Sequence, residues 1–153
     1  MEEVYSVYLS KAMRYCAGSE QCVYTVSKKL KEWGVGDSEA DYILGELVVN
    51  GFISEERYAS SFARGKFRML RWGKVKIAAH LRQNRVAEVN IKLALKEISD
   101  DEYGQVLHQL VLKKLDSLPK GDRLQNRKKL MAYLTSKGFE TNLIYEEINS
   151  LDI

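Results

Sequence analysis

Three stretches of this chain carry the same six apolar positions at the same spacing, and that repeat limits the fold more than any other feature. Val26, Leu30, Val35, Ala40, Leu44 and Leu47 correspond to Ile77, Leu81, Val86, Ile91, Leu95 and Ile98, each 51 residues later. These correspond in turn to Leu130, Leu134, Phe139, Ile144, Ile148 and Leu151, each 53 residues later. Within a block the first two positions are i, i+4 on one helical face, and in the first block Ala40, Leu44 and Leu47 form an i, i+4, i+7 stripe. Between them Gly34 and Gly138 stand where a helix C-terminus favours a left-handed residue. Ser38 and Thr141 stand where the following helix can start. The middle block has Arg85 at the glycine position, so its first helix is expected to end differently.

Another helical stretch precedes each block, at about 4–16, 54–71 and 101–117. The chain therefore reads as all-α: nine helices in three tandem three-helix repeats of helix-turn-helix type, at 1–52, 53–99 and 100–153. A repeat of about 50 residues buries too little surface alone, so the repeats are expected to stack into a somewhat elongated body. The breaks fall near "NGFIS" (50–54) and "ISDDE" (98–102), and Pro119 and Gly121 mark "LDSLPKGDR" (115–123) as a loop inside the third repeat. No apolar run is long enough to span a membrane. The beginning "MEEVYSVYLSK" is acidic and lacks the basic and apolar regions of a secretory signal. The expected state is a cytoplasmic monomer without membrane association.

Enzymatic signatures are missing. Gly65-Lys66 is not a phosphate-binding loop, because Ser60 replaces the first glycine and Phe67 the hydroxyl residue. His80 and His108 are remote from each other, and a catalytic histidine needs an orienting partner. Cys16 and Cys22 read as two small buried thiols, with a local redox bridge as the alternative, since a zinc site would need about four ligands. The chain calls for no cofactor, metal or catalytic residue.

The charge distribution is more telling. The net +3 is the sum of −3 over residues 1–50 (5 basic, 8 acidic), +7 over 51–99 (11 and 4) and −1 over 100–153 (8 and 9). The segment "RGKFRMLRWGKVKIAAHLRQNR" (64–85) holds Arg64, Lys66, Arg68, Arg71, Lys74, Lys76, Arg82 and Arg85 without a carboxylate. On one helix Arg57, Arg64, Arg68 and Arg71 fall within about 60° of azimuth, while Tyr58, Phe62 and Met69 lie on an adjacent face expected to pack inward. Such a stripe, continued by Lys74 and Lys76, suits a nucleic-acid backbone or an acidic protein groove. The plain alternative is a solvated face whose stems cover apolar surface. Trp72, inside the basic turn, is a candidate for base stacking or a packing anchor; Trp33 is expected in the core.

The segment "GFISEERYASSFARGKFRMLRWGKVKIAAHLRQNRV" (51–86) resembles the RecX family of bacterial regulators of the RecA recombinase. The features carrying the likeness are Gly51, Phe52, Ile53, Glu55, Glu56, Arg57, Tyr58, Ala59, Arg64, Arg68, Gly73, Ile77, Leu81 and Val86, and the closing element "YLTSKGFETNLIYEEI" (133–148) agrees. The resemblance implies a non-catalytic inhibitor that lies in the groove of the RecA–DNA filament and blocks its growth or promotes disassembly. ATP hydrolysis, strand exchange and co-protease activity would fall, linking the protein to DNA repair and the SOS response. The binding residues would be Arg57, Arg64, Lys66, Arg68, Arg71, Lys74 and Lys76, with Arg82 and Arg85 secondary. The partners would be the RecA filament and salt-sensitive single- and double-stranded DNA. Two rivals are a general or sequence-specific DNA-binding protein of helix-turn-helix type and a helical-repeat scaffold for an acidic protein. The first is weakened because "AEVNIKLALKEI" (87–98) offers only Lys92 and Lys96 as basic groups, and no Arg or Gln to read bases.

Overall fold

The repeated apolar positions build helices in the expected order. A computed structural model describes residues 2–151, with side chains from Tyr5 onward. Among these residues the elements are α1 (Glu2–Gly18), α2 (Val23–Glu32), α3 (Asp37–Val49), α4 (Glu55–Leu70), α5 (Lys74–Gln83), α6 (Glu88–Lys96), α7 (Asp100–Ser117), α8 (Arg123–Lys137) and α9 (Thr141–Ser150), with no strand. Val26, Leu30, Ile77, Leu81, Leu130 and Leu134 are all buried, as are Leu47, Ile91, Ile98, Ile144 and Ile148. In the first repeat α3 turns Ile43 fully inward while Ala40 and Leu44 are half-buried. A packed helix buries a band about 100° wide rather than a line, so the neighbour of a stripe can take its place.

Two compact units form, one of residues up to Ser61 with Leu81–Leu93, the other of Phe62–His80 with Ala94 onward. Helices α4, α5 and α6 each contribute to both. In the first unit α1, α2 and α3 pack pairwise around Ala12, Cys16, Val26, Leu30, Ile43, Leu47 and Ile53, with Trp33, expected in the core, half-buried at the edge of that cluster. Tyr8 stacks on Trp33 at 6.4 Å and Tyr15 meets it edge-on at 6.3 Å. In the second unit α7, α8 and α9 pack pairwise, and Tyr103 lies between Phe67 (5.8 Å) and Phe139 (5.1 Å). Cys16 and Cys22 are both free and buried. Burial, with the charge of Glu20 adding to it, pushes the Cys16 thiol up, which disfavours the reactive thiolate.

The turns correct two expectations. Gly34 (φ 84) and Gly138 (φ 97) are left-handed, and so is Arg85 (φ 60). The closing bond is the same in all three repeats: Val35 N–H to Leu30 O (3.0 Å), Val86 N–H to Leu81 O (3.1 Å) and Phe139 N–H to Leu134 O (3.2 Å). The helix before Arg85 therefore ends as its counterparts do, despite a Cβ penalty of about 1–2 kcal/mol. The turn satisfies carbonyls that would otherwise lack a partner, and the Arg85 guanidinium gains a contact 4.6 Å above the Tyr24 ring. Ser38 does not start α3, which is capped by Gly36 and begins at Asp37; the acidic Asp37 and Glu39 suit the positive end of the helix. Thr141 does open α9.

Along α4 the buried positions are Tyr58, Ala59, Ala63 and Phe67, and Phe62 is half-buried. Met69, expected to pack inward, is 84% exposed. The buried band runs through Ala59, Ala63 and Phe67, and Met69 in the last turn lies beyond its edge.

Candidate functional site

The cations of the basic run differ in what they face. In the first unit, Arg57 Nε donates to Glu20 at 3.1 Å and its Nη2 to the Gly51 carbonyl at 2.7 Å. Arg82 forks onto Glu88, with Nη2–Oε2 at 3.1 Å, and this bond holds the Glu88 carboxyl below its usual range. Arg85 lies on Tyr24. In the second unit Arg64 is 3.7 Å from Glu97, Arg68 is 3.6 Å from Glu102, and Arg71 Nη1 donates to Gln109 at 2.9 Å. The acids missing from the run are thus supplied by Glu88, Glu97 and Glu102, outside α4 and α5, and Glu20 supplies one to Arg57 before it. Four of these arginines, Arg57, Arg64, Arg68 and Arg82, thus face a carboxylate within 4.0 Å. Exposed pairs of this kind contribute little and are screened by salt.

The lysines form a different environment. Among the described residues, no carboxylate comes within 4.0 Å of the ammonium of Lys66, Lys74, Lys76 or Lys137. Lys66 and Lys76 lie 5.2 and 4.5 Å from the Trp72 ring centre, and Lys66 is also 5.3 Å from Phe62. His80 meets Trp72 at 4.6 Å with its plane tilted 51°, and Phe62 approaches edge-on at 6.3 Å. Lys74 lies 4.8 Å from the Tyr103 ring. The indole is half-buried against these neighbours, with the Lys66 and Lys76 ammonium groups beside it.

Two turns create this cluster. Arg71 takes φ 57, ending α4, and Trp72 N–H returns to Lys66 O at 3.1 Å. The next residues dock on the turn between α8 and α9. Gly73 N–H donates to Lys137 O at 2.7 Å and Val75 N–H to Gly138 O at 2.9 Å. The Lys74 N–H donates to the Tyr103 hydroxyl at 2.9 Å, and that hydroxyl donates to Glu140. Burial first, and the Glu140 contact next, drive the Tyr103 phenol far up, so it stays a neutral donor. The docking needs glycines: a Cβ on Gly73 would fall 2.5 Å from Phe139 N and closer still to the Gly138 carbonyl.

This docking brings in Lys137, which the sequence reading did not select. Its ammonium donates to the Leu70 carbonyl at 2.7 Å, at the C-terminal end of α4. Burial first, then the charges of Lys76 and Arg71, hold its pKa below the usual lysine value. Position 137 aligns with Trp33 and Asn84 in the other repeats, so the repeat pattern carried no sign of a shared role. The only hint was a glycine in each turn, Gly73 and Gly138, and no local rule pairs them.

Comparison with known proteins agrees with this architecture. The family model for the second three-helix domain of RecX matches residues 54–95, and that for the third matches 100–148. The regulatory protein RecX of Prosthecochloris aestuarii is 30% identical over 143 residues, covering 94% of this chain and 92% of the relative. The chain spans about half (53%) of the RecX of Bacillus cytotoxicus. A solved regulatory protein RecX superposes with a TM-score of 0.85 at 25% identity, over 95% of this chain and 71% of that one. RecX from Lactobacillus salivarius gives 0.86 at 20% identity over 99% of both, which speaks for the fold alone. With models of two successive RecX domains covering most of its length, this chain belongs to the RecX family of regulatory proteins.

Proposed function

We propose that the chain regulates the RecA recombinase by binding the RecA–DNA filament, blocking its extension or promoting its disassembly. ATP hydrolysis, strand exchange and co-protease activity then fall, which places the protein in DNA repair and the control of the SOS response. It acts by binding, as a cytoplasmic monomer, and catalyses nothing. The division into repeats 1–52, 53–99 and 100–153 belongs to this reading, with the second repeat presenting the cations. Contacts to several filament subunits at once would add through effective concentration.

The observation that carries the reading is the carboxylate-free cluster of Lys66, Lys76 and Lys137 about Trp72. A polyanion gains most where cations are not already paired. Lys74, Arg64, Arg68 and Arg71 flank this centre, while Arg57, Arg82 and Arg85 are engaged within the first unit and are secondary. Arg64 and Arg68 are poor choices for charge reversal, since a glutamate there would face Glu97 or Glu102.

The test is ATP hydrolysis by a preformed RecA filament on single-stranded DNA, titrated with this protein. The wild type should inhibit at concentrations well below that of DNA. The double variant Lys66→Gln/Lys76→Gln should need at least ~10-fold more protein, about the effect of losing 1.4 kcal/mol, and Arg57→Gln should match the wild type. A wild-type chain without effect, or one binding a single duplex sequence orders of magnitude better than others, would sink the reading.

A further inference from the structure

We propose that Trp72 and the cations around it form a subsite for one nucleotide of a single strand, with the base on the indole and its phosphate among Lys76, Lys137 and Arg71. The inference deepens the regulatory reading above and takes from it only that the polymer is DNA. Trp72 sits in the turn between α4 and α5 and is half-buried, so it can stack only on a base that is itself unstacked. A duplex does not offer one. The ligand is therefore single-stranded.

The ring is not vacant. Lys66 and Lys76 stand above it at 5.2 and 4.5 Å, and His80 packs at 4.6 Å. Base stacking on an aromatic ring is the stronger contact, compared with an exposed cation over the same ring. A base can thus displace the ammonium groups, which swing on flexible stems to a phosphate without losing an ion-pair partner. The phosphate position follows from the crowding of like charges. Lys137 is tied to the Leu70 carbonyl at 2.7 Å while Lys76 and Arg71 press on it, and its pKa falls as a result of burial and of these two charges. An anion among the three relieves that repulsion. The Gly73 and Gly138 apposition fixes the two turns that carry these groups.

The experiment uses the full chain with Trp33→Phe, which leaves Trp72 as the only indole among the two tryptophans. Its fluorescence is titrated, without RecA, against oligo(dT) and against an abasic phosphodeoxyribose oligomer of equal length. Oligo(dT) should quench Trp72 and bind at least about tenfold more tightly, as expected for one stacked base. This comparison changes nothing in the site, so misfolding cannot mimic it. Lys137→Gln should flatten the log–log salt dependence by about 0.7, the loss of one phosphate contact on a single strand. Lys128→Gln is the control, an exposed lysine nine residues before Lys137 on α8. Equal affinity for the two oligomers without quenching overturns the subsite, and so does an equal effect of Lys128→Gln and Lys137→Gln. The RecA assay reads the other question separately: inhibition by a chain that shows no quenching keeps the regulatory function and removes the nucleotide site. Inhibition lost in Trp72→Leu, where oligo(dT) never quenched, reassigns the cluster to an acidic protein surface.

Discussion

The docking of the α4–α5 turn on the α8–α9 turn can be dissected with three glycines that isolate two causes of damage. Gly34 has φ 84 but open space around its missing Cβ, so Gly34→Ala tests left-handed strain alone. Its cost is about 1–2 kcal/mol. Gly73 has no such dihedral, but its Cβ would meet the backbone of Gly138 and Phe139, at 2.5 Å for Phe139 N. Gly73→Ala must push the turns apart and so threatens the bonds Gly73 N–H to Lys137 O (2.7 Å) and Val75 N–H to Gly138 O (2.9 Å). Each group left without a partner costs roughly 1–3 kcal/mol, which for the two bonds puts the variant at about 2–6 kcal/mol. Gly138→Ala combines both causes, with φ 97 and a Cβ 2.7 Å from Lys76 N, and should be the worst of the three. Urea unfolding followed by helical circular dichroism gives the order Gly34→Ala, Gly73→Ala, Gly138→Ala. For a chain of this length each kcal/mol is about 2–4 °C in Tm. Gly73→Ala should also reduce oligo(dT) quenching while folded, since it displaces Trp72 and Lys137 together. A Gly73→Ala variant no less stable than Gly34→Ala would refute the close docking and, with it, the position assigned to Lys137.

Further outcomes follow from particular contacts. Leu30→Ala and Leu134→Ala, each fully buried at equivalent repeat positions, should each cost about 2–5 kcal/mol by urea denaturation; a loss under about 1 kcal/mol at either would contradict its place in the core. Glu55 accepts the Val23 N–H at 3.2 Å through one oxygen, while the other is buried without a partner. Burial raises its pKa against the lowering effect of that N–H, so the folded state holds this proton more tightly than the unfolded chain. Its contribution to stability therefore falls as pH rises from the ordinary glutamate value through the raised one. Glu55→Gln should gain on the wild type above that window, and superimposable urea midpoints from acid to neutral pH would show the assignment wrong. Glu102→Gln should strengthen oligonucleotide binding and steepen its salt dependence by freeing Arg68 from its 3.6 Å contact; unchanged binding would mean that Arg68 lies outside the interface.

How much was legible depends on the range of the interaction. Helix order, repeat spacing and most of the core could be read because period 3.6 patterning and turn glycines act within a few residues. Arg85 misled, since a left-handed arginine is locally costly and only the wider packing makes it tolerable. Met69 misled because the band that α4 buries runs through Ala59, Ala63 and Phe67, and Met69 stands about 120° from its centre.

The sequence by itself determined that the chain is a set of three helical repeats with its positive charge concentrated in the middle one, because composition and periodicity are properties of neighbours along the chain. Tertiary structure decided which of those charges face a carboxylate. Glu20, Glu97 and Glu102 reach the arginines from outside α4 and α5, whereas Lys137 joins Trp72 and Lys76 only through the docked glycine turns. Charge pairing depends on distance in space and falls off within angstroms, and no spacing along the chain encodes that distance.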